Sequence, residues 1–169
     1  MTTGTAFLLA CSAGDDASVS NAGDSALFAA QRSCTAPVVR ELVEKFGEHL
    51  ERVSLLAPPD LLAGVLRREY GPFVTSDLLA RWIADPRRAP GREVSSPWPD
   101  RVEVTSVQQA GEDSCRLEAD VIYTTSADTV AGAGVSSPRE RVVIGLHYDA
   151  GWRISTWQGD STGTAGTTR

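Results

Sequence analysis

The stretch RVVIGLHYDAGWRISTW, residues 141–157, decides the fold of this chain. Two runs rich in β-branched and aromatic residues, 141–148 and 152–157, flank the turn sequence Asp149-Ala150-Gly151, which predicts a β-hairpin. The same period of two recurs upstream at 101–105 and 114–125. The sequence therefore predicts an antiparallel sheet of about four strands. The small, polar residues 126–138 read as an exposed hairpin tip between the second and third strands.

Before residue 86 the apolar period changes from two to 3.6 residues, which predicts helices. Prolines, and the pair Gly71-Pro72, separate the three apolar stripes, and Ser76 is the expected cap of the third helix. A long proline-rich connection, 86–100, then leads to the sheet, and loops of this length are usually functional or mobile. Helices followed by strands predict an α+β fold. The stripes are Val38, Val39, Leu42, Val43, Phe46 and Leu50; then Leu61, Leu62, Val65, Leu66 and Tyr70; then Leu78, Leu79, Trp82 and Ile83.

Three N-terminal helices on a curved antiparallel sheet of about four strands resemble the NTF2-like, or cystatin-like, superfamily of cone-shaped domains. The resemblance covers roughly Thr35 to Gln158, and its closing hairpin is Leu146–Ile154, with an acidic residue, Gly, Trp, a basic residue and Ile at the last turn. The segments 70–75 and 96–100 also resemble uncharacterised Gram-positive envelope lipoproteins. The superfamily contains enzymes, ligand binders, secretion-machine parts and interaction domains, so the fold does not decide the function.

The N-terminus resembles a bacterial lipobox. Residues 6–12, AFLLACS, end an apolar run with small residues around Cys11, the expected lipidation site. A signal peptide also needs a basic segment and a longer apolar stretch, yet no Lys or Arg precedes Arg32, so we expect an in-frame start upstream. The alternative is an ordinary cysteine in a disordered tail. The expected organisation is a partial signal peptide at 1–11, a flexible tether at 12–33, the folded domain at 34–158 and a disordered tail at 159–169.

Charge and cysteine content narrow the function classes. The net charge of −6 and the pI of about 4.9 disfavour nucleic-acid binding, which needs Lys and Arg on phosphates. The three cysteines are too widely spaced for a zinc or redox motif, so we expect no metal and no cofactor. With Cys11 lipidated, Cys34 and Cys115 remain to form a disulfide in an oxidising compartment. The rival interpretation leaves Cys115 as a buried thiol and Cys34 exposed.

Two sets of side chains are candidates for binding. The first set would line the wide mouth of the cone as a ligand pocket. The alternative is that these aromatic residues fill the mouth as part of the core, as residues at such spacings more often do. We expect one member of this set, Trp98, to dock the proline-rich loop over the mouth. The second surrounds that loop and would hold an anionic ligand, unless its members pair with Asp85, Glu93 and Asp100. The first set is Tyr70, Phe73, Trp82, Trp98, His147 and Trp157, and the second is Arg87, Arg88, Arg92 and Arg101.

Catalysis has weaker support in the sequence. His147 and Asp149 lie two apart on one strand and suit a base with an orienting carboxylate, but Asp149 reads better as a turn residue beside a solvent-facing His147. No acid and base pair of the isomerase type can be assigned. The leading hypothesis is a lipoprotein at the outer face of the cell membrane whose domain binds a ligand or a protein without catalysis. The alternatives are a small-molecule enzyme with an NTF2-like pocket and an accessory subunit of an envelope secretion or transport complex.

Overall fold

One face of a four-stranded antiparallel sheet carries the helices, in a computed structural model that describes residues 1, 32–34, 37–125 and 137–159. The α+β class is therefore confirmed, and the element order is the one that the NTF2-like resemblance implied. Cys11, nearly all of the expected tether, most of the expected hairpin tip and the tail after Gly159 lie outside the described residues.

The sheet consists of β1 (Trp98–Gly111), β2 (Ser114–Thr124), β3 (Arg139–Tyr148) and β4 (Trp152–Gly159), in that spatial order. β1 is much longer than the predicted stretch 101–105. Its pairing with β2 shifts register at three places, near Pro99, Thr105 and Ala110. Each shift moves the inward-facing position by one residue, which hides the period of two from the sequence. Such irregularities also bend and twist a strand.

The helices are α1 (Pro37–Gly47), α2 (Pro59–Tyr70) and α3 (Ser76–Ala84), with short 3-10 turns at Leu50–Arg52 and Pro86–Arg88. The cap of α3 is Thr75, whose hydroxyl accepts a hydrogen bond from the Leu78 amide at 3.4 Å, so the expectation for Ser76 was wrong by one residue. Leu61, expected in the apolar stripe, is exposed. Among the described residues, no helix combines the length and the hydropathy that a membrane crossing requires.

The core lies between the helices and the inner face of the sheet. Helix α1 crosses β1 at Gly47, where a Cβ atom would lie 2.6 Å from the Val102 nitrogen, so only glycine permits this approach. The Phe46 ring is the centre of an aromatic cluster. Its ring centroid lies 4.9 Å from that of Tyr70, 5.9 Å from Phe73, 6.2 Å from Trp82 and 5.4 Å from Trp157.

A disulfide joins Cys34 to Cys115, as predicted, with the Cα atoms 5.7 Å apart. Both residues are buried at 2% exposure, which rules out the exposed thiol of the rival interpretation. The Cys34 amide also donates a 3.0 Å hydrogen bond to Gln109 Oε1. The segment before α1 is thus fastened to the first two strands.

The proline-rich connection is docked onto the domain through its backbone. The Arg92 amide donates to the Val53 carbonyl at 2.8 Å, and the Leu55 amide donates to the Arg92 carbonyl at 2.9 Å. Ala89 is buried beneath this pairing. Trp98, expected to be the anchor, is half-buried outside the core, with its ring 5.8 Å from the Arg92 guanidinium. The loop is docked as predicted, but the anchor was assigned to the wrong residue.

Candidate functional site

A cavity of about 410 Å³ lies between the docked loop and one end of the sheet. The loop forms one wall with its 3-10 turn and prolines. The other wall is formed by the start of β1, the end of β2, the start of β3 and the end of β4. The lining residues are Leu50, Arg87, Arg88, Ala89, Pro90, Gly91, Glu93, Val94, Pro97, Pro99, Val121, Tyr123, Glu140, Val142, Trp157 and Gly159.

Two arginines line the loop side of the cavity. Pro86 begins the 3-10 turn that carries Arg87 and Arg88, and both arginines are exposed. Across residues 32–34, 37–125 and 137–159, no carboxylate oxygen lies within 4.0 Å of either guanidinium group. The alternative that these two arginines pair with nearby acids is therefore wrong within the described chain, and both remain available to an anion.

The other two candidate arginines have different surroundings. Arg101 forms ion pairs with Asp100 at 2.6 Å and with Glu103 at 2.9 Å, so pairing is correct for this residue. Arg92 lies over the Trp98 ring and does not line the cavity. The four predicted anion contacts thus separate into two that face the cavity and two that do not.

A tyrosine and a glutamate form a pair on the sheet side of the cavity. The Tyr123 hydroxyl donates a 2.6 Å hydrogen bond to Glu140 Oε2. Partial burial raises the pKa of the Tyr123 phenol, and the hydrogen bond to Glu140 raises it further, as does the charge of Glu93. The phenol therefore stays neutral and keeps its hydrogen bond to Glu140. Sequence analysis missed this pair, although Tyr123 falls on the inward side of the predicted second strand.

The predicted aromatic lining is mostly core. Tyr70 and Trp82 are buried in the Phe46 cluster, and Phe73 packs partly buried against it, so the alternative of a plugged cone holds for these three. Trp157 lines the cavity as predicted, with its ring half-buried.

His147 was predicted wrongly as a lining residue. It is exposed on the outward face of β3, where it pairs in register with Ser114 and Arg153. Ser114 begins β2, whereas the β2 residues that line the cavity, Val121 and Tyr123, lie near the other end of the strand. His147 is therefore at the end of the sheet away from the cavity. Asp149 belongs to the turn, where its amide donates to the Gly151 carbonyl at 3.1 Å.

A second polar pair lies outside the cavity and was not anticipated. His49 Nδ1 lies 3.1 Å from Glu69 Oε2, and the His49 ring lies 4.8 Å from the Phe73 ring. Hydrogen bonding from Arg68 and then from His49 lowers the pKa of the Glu69 carboxyl, against an opposing effect of burial. The pair connects the segment after α1 to α2, and neither residue lines the cavity described above.

Neither carboxylate that lines the cavity is buried. A general acid or base is usually a buried group whose proton affinity its surroundings have changed. No polar or charged residue of the described ranges is buried, and Glu140 is exposed and already bonded to Tyr123. In those ranges no cluster of three metal-ligating side chains occurs either.

Comparison with known proteins gives little direct guidance. No family model and no curated protein matches the chain. Among solved structures, an "Ntf2 like protein involved in plasmid conjugation" is similar, with a TM-score of 0.44 and 8% identity. The aligned region covers 78% of this chain and 51% of that protein, so the chain spans about half of its length.

Proposed function

We propose that this chain is a membrane-anchored, non-catalytic binding protein whose domain takes up a small ligand in the cavity under the proline-rich loop. The observation that carries the proposal is that one cavity is lined both by Arg87 and Arg88, which form no ion pair within the described residues, and by the aromatic ring of Trp157. Its volume of about 410 Å³ falls in the range of small-molecule sites. Its lining combines charged and polar groups with apolar side chains, and ligand sites use both kinds of contact.

The binding test uses anilinonaphthalene sulfonate, a fluorescent probe with an aromatic body and one anionic group. We expect its emission to rise on binding to the native protein. Replacing both cavity arginines (Arg87→Gln with Arg88→Gln) should weaken binding by about tenfold, because charge-assisted hydrogen bonds to the sulfonate are lost. The matched control is Arg116→Gln with Arg153→Gln, which removes two exposed guanidinium groups from the sheet strands outside the cavity. No saturable binding, or equal loss in both double variants, would overturn the proposal.

The anchored location rests on Cys11 and is supported by the disulfide. Disulfides persist in oxidising compartments, and with Cys11 lipidated the pairing of Cys34 with Cys115 leaves no free thiol. We expect mass spectrometry of the protein expressed in a bacterial host from its full reading frame to find diacylglycerol on Cys11. We also expect Cys11→Ser to release the protein from membranes. An unmodified Cys11 on a chain that fractionates away from membranes would contradict this part of the proposal.

A further inference from the structure

We propose that the cavity ligand is a small zwitterion, with a free carboxylate and a free ammonium group on an apolar body, as in an apolar dipeptide. This inference rests on the proposed function, because it names the ligand class of the same cavity. It follows from three features of the lining: two cations that form no ion pair within the described residues, one carboxylate held by a hydrogen bond, and apolar side chains in the same cavity.

The cations are Arg87 and Arg88, whose surroundings differ from those of the ion-paired arginines. Elsewhere in the described chain, Arg101 and Arg139 each contact two carboxylates. Within the described residues, Arg87 and Arg88 contact no carboxylate within 4.0 Å, although Glu93 and Glu140 line the same cavity. The planar guanidinium group matches a carboxylate with two parallel hydrogen bonds. These two side chains therefore suit the carboxylate end of a ligand.

The oriented carboxylate is Glu140. Its Oε2 accepts a hydrogen bond from the Tyr123 hydroxyl, and its Oε1 has no hydrogen-bond donor within the described ranges. Because Tyr123 keeps its proton, the phenol acts as a positioning residue that fixes Glu140 at the cavity wall. Glu93 adds a second negative charge to the lining. An ammonium group has three donors and would satisfy the free oxygen of Glu140.

The presence of both charge signs in one lining favours a ligand that carries both signs. Arg87 and Arg88 are more than 4.0 Å from every described carboxylate, so they do not neutralise Glu140 directly. A zwitterion can make charge-assisted hydrogen bonds at both ends, whereas a simple anion or cation makes them at one. Its body would lie against the accessible apolar side chains of Val94, Pro97 and Trp157.

The test compares four forms of the dipeptide leucyl-phenylalanine: with free ends, N-acetylated, C-amidated, and blocked at both ends. Binding is followed by the NMR shifts of the Gly91 and Gly159 amides, which report from opposite walls of the cavity. We expect the free dipeptide to bind at least about tenfold more tightly than either singly blocked form, since each block removes one charge. The doubly blocked form should bind most weakly.

Variants assign each end of the dipeptide. Arg87→Gln with Arg88→Gln should abolish the preference for the free over the amidated form, while Glu140→Gln should abolish the preference for the free over the acetylated form. Arg116→Gln with Arg153→Gln is the control and should keep both preferences. All of these side chains are exposed, so the variants should fold, and their NMR spectra check this.

The possible failures are distinguishable. Equal binding of all four forms, or preferences that survive in the cavity variants, would overturn the zwitterion and leave a general binding cavity. Binding of anilinonaphthalene sulfonate without binding of any dipeptide form would have the same meaning. Failure of both probes would overturn the proposed function together with this inference.

Discussion

The phenolic oxygen of Tyr70, at the end of α2, donates a 2.6 Å hydrogen bond to the carbonyl oxygen of Pro90 in the loop over the cavity. The Tyr70 side chain is fully buried, and that burial raises the pKa of its phenol. The Tyr70 ring thus packs in the aromatic cluster, and its hydroxyl bonds to the loop that forms one wall of the cavity.

Tyr70→Phe should loosen the loop while keeping the core packed. We expect the free energy of unfolding to fall by about 1 kcal/mol, the net value of such a hydrogen bond, and the probe to bind more weakly because Pro90 lines the cavity. Urea unfolding and fluorescence titration measure the two effects. The control is Tyr148→Phe, on a half-buried ring outside the cavity. Unchanged stability and binding in Tyr70→Phe would mean that the loop does not depend on this bond.

Gly91→Ala should displace the loop more strongly. A Cβ atom at this position would lie 2.8 Å from the Val53 carbonyl oxygen, and φ is +156°, where side chains are strained. We expect a loss of about 1–3 kcal/mol in unfolding free energy together with weaker probe binding. Gly64→Ala is the matched control: it lies in α2 with nothing within 4 Å of its added Cβ, and should stabilise the protein by about 0.5–1 kcal/mol. Equal effects of the two substitutions would contradict the docked geometry.

Removing the disulfide should destabilise the domain substantially. Cys34 and Cys115 are separated by 81 residues in sequence, so the chain-entropy argument gives up to about 4–5 kcal/mol for the cross-link. The double variant Cys34→Ser with Cys115→Ser should therefore unfold at much lower urea concentration than the native protein. Cys11→Ser should not move the unfolding midpoint. A loss below about 1 kcal/mol in the double variant would show that the unfolded chain gains little freedom when the bridge is absent.

Acid should weaken the contact between α1 and α2. The pKa of Glu69 is lowered in the folded protein below its ordinary value of 4.5 by hydrogen bonds from Arg68 and His49. A lowered carboxyl pKa contributes stability that is present above the unfolded value and lost as the pH falls through the folded one. Glu69→Gln should therefore flatten the decline in unfolding free energy below about pH 4.5. The control is Glu112→Gln, which replaces an exposed glutamate and should leave the pH dependence of stability unchanged. If Glu69→Gln and the native protein lose stability identically as the pH falls, the lowered pKa of Glu69 does not contribute to stability.

Features that depend on the local spacing of residues could be predicted from the sequence. Features that depend on contacts between distant segments of the chain could not. The hairpin around Asp149-Ala150-Gly151 and the three helices follow from local spacing, and the disulfide follows from counting cysteines. The length of β1 was missed because register shifts interrupt its alternation.

The cavity was only partly anticipated for the same reason. Trp157 and the two loop arginines were named as candidates, but the Tyr123–Glu140 pair depends on the register between β2 and β3, which no local pattern reveals. His147 was placed at the wrong end of the sheet because alternation gives the face of a strand and not its position along the cavity.

Truncating Trp98 and truncating Trp157 should affect stability and probe binding to different extents. Trp98 is half-buried outside the core, and its ring contacts the Arg92 guanidinium, whose Nε atom is buried without a hydrogen-bond partner. Trp98→Ala removes this cation–π contact, so we expect a loss of about 1 kcal/mol and little change in probe binding. Trp157 packs edge-on against Phe46 at 5.4 Å and lines the cavity.

Trp157→Ala should therefore cost about 3 kcal/mol, as truncating a large aromatic side chain in a packed cluster does, and should remove most of the probe binding. Urea unfolding and titration with anilinonaphthalene sulfonate compare the two variants directly. A larger stability loss in Trp98→Ala would mean that the loop docks through the indole rather than through the backbone pairing of Arg92 with Val53 and Leu55. Retained probe binding in Trp157→Ala would move the ligand away from the sheet end and toward the prolines of the loop.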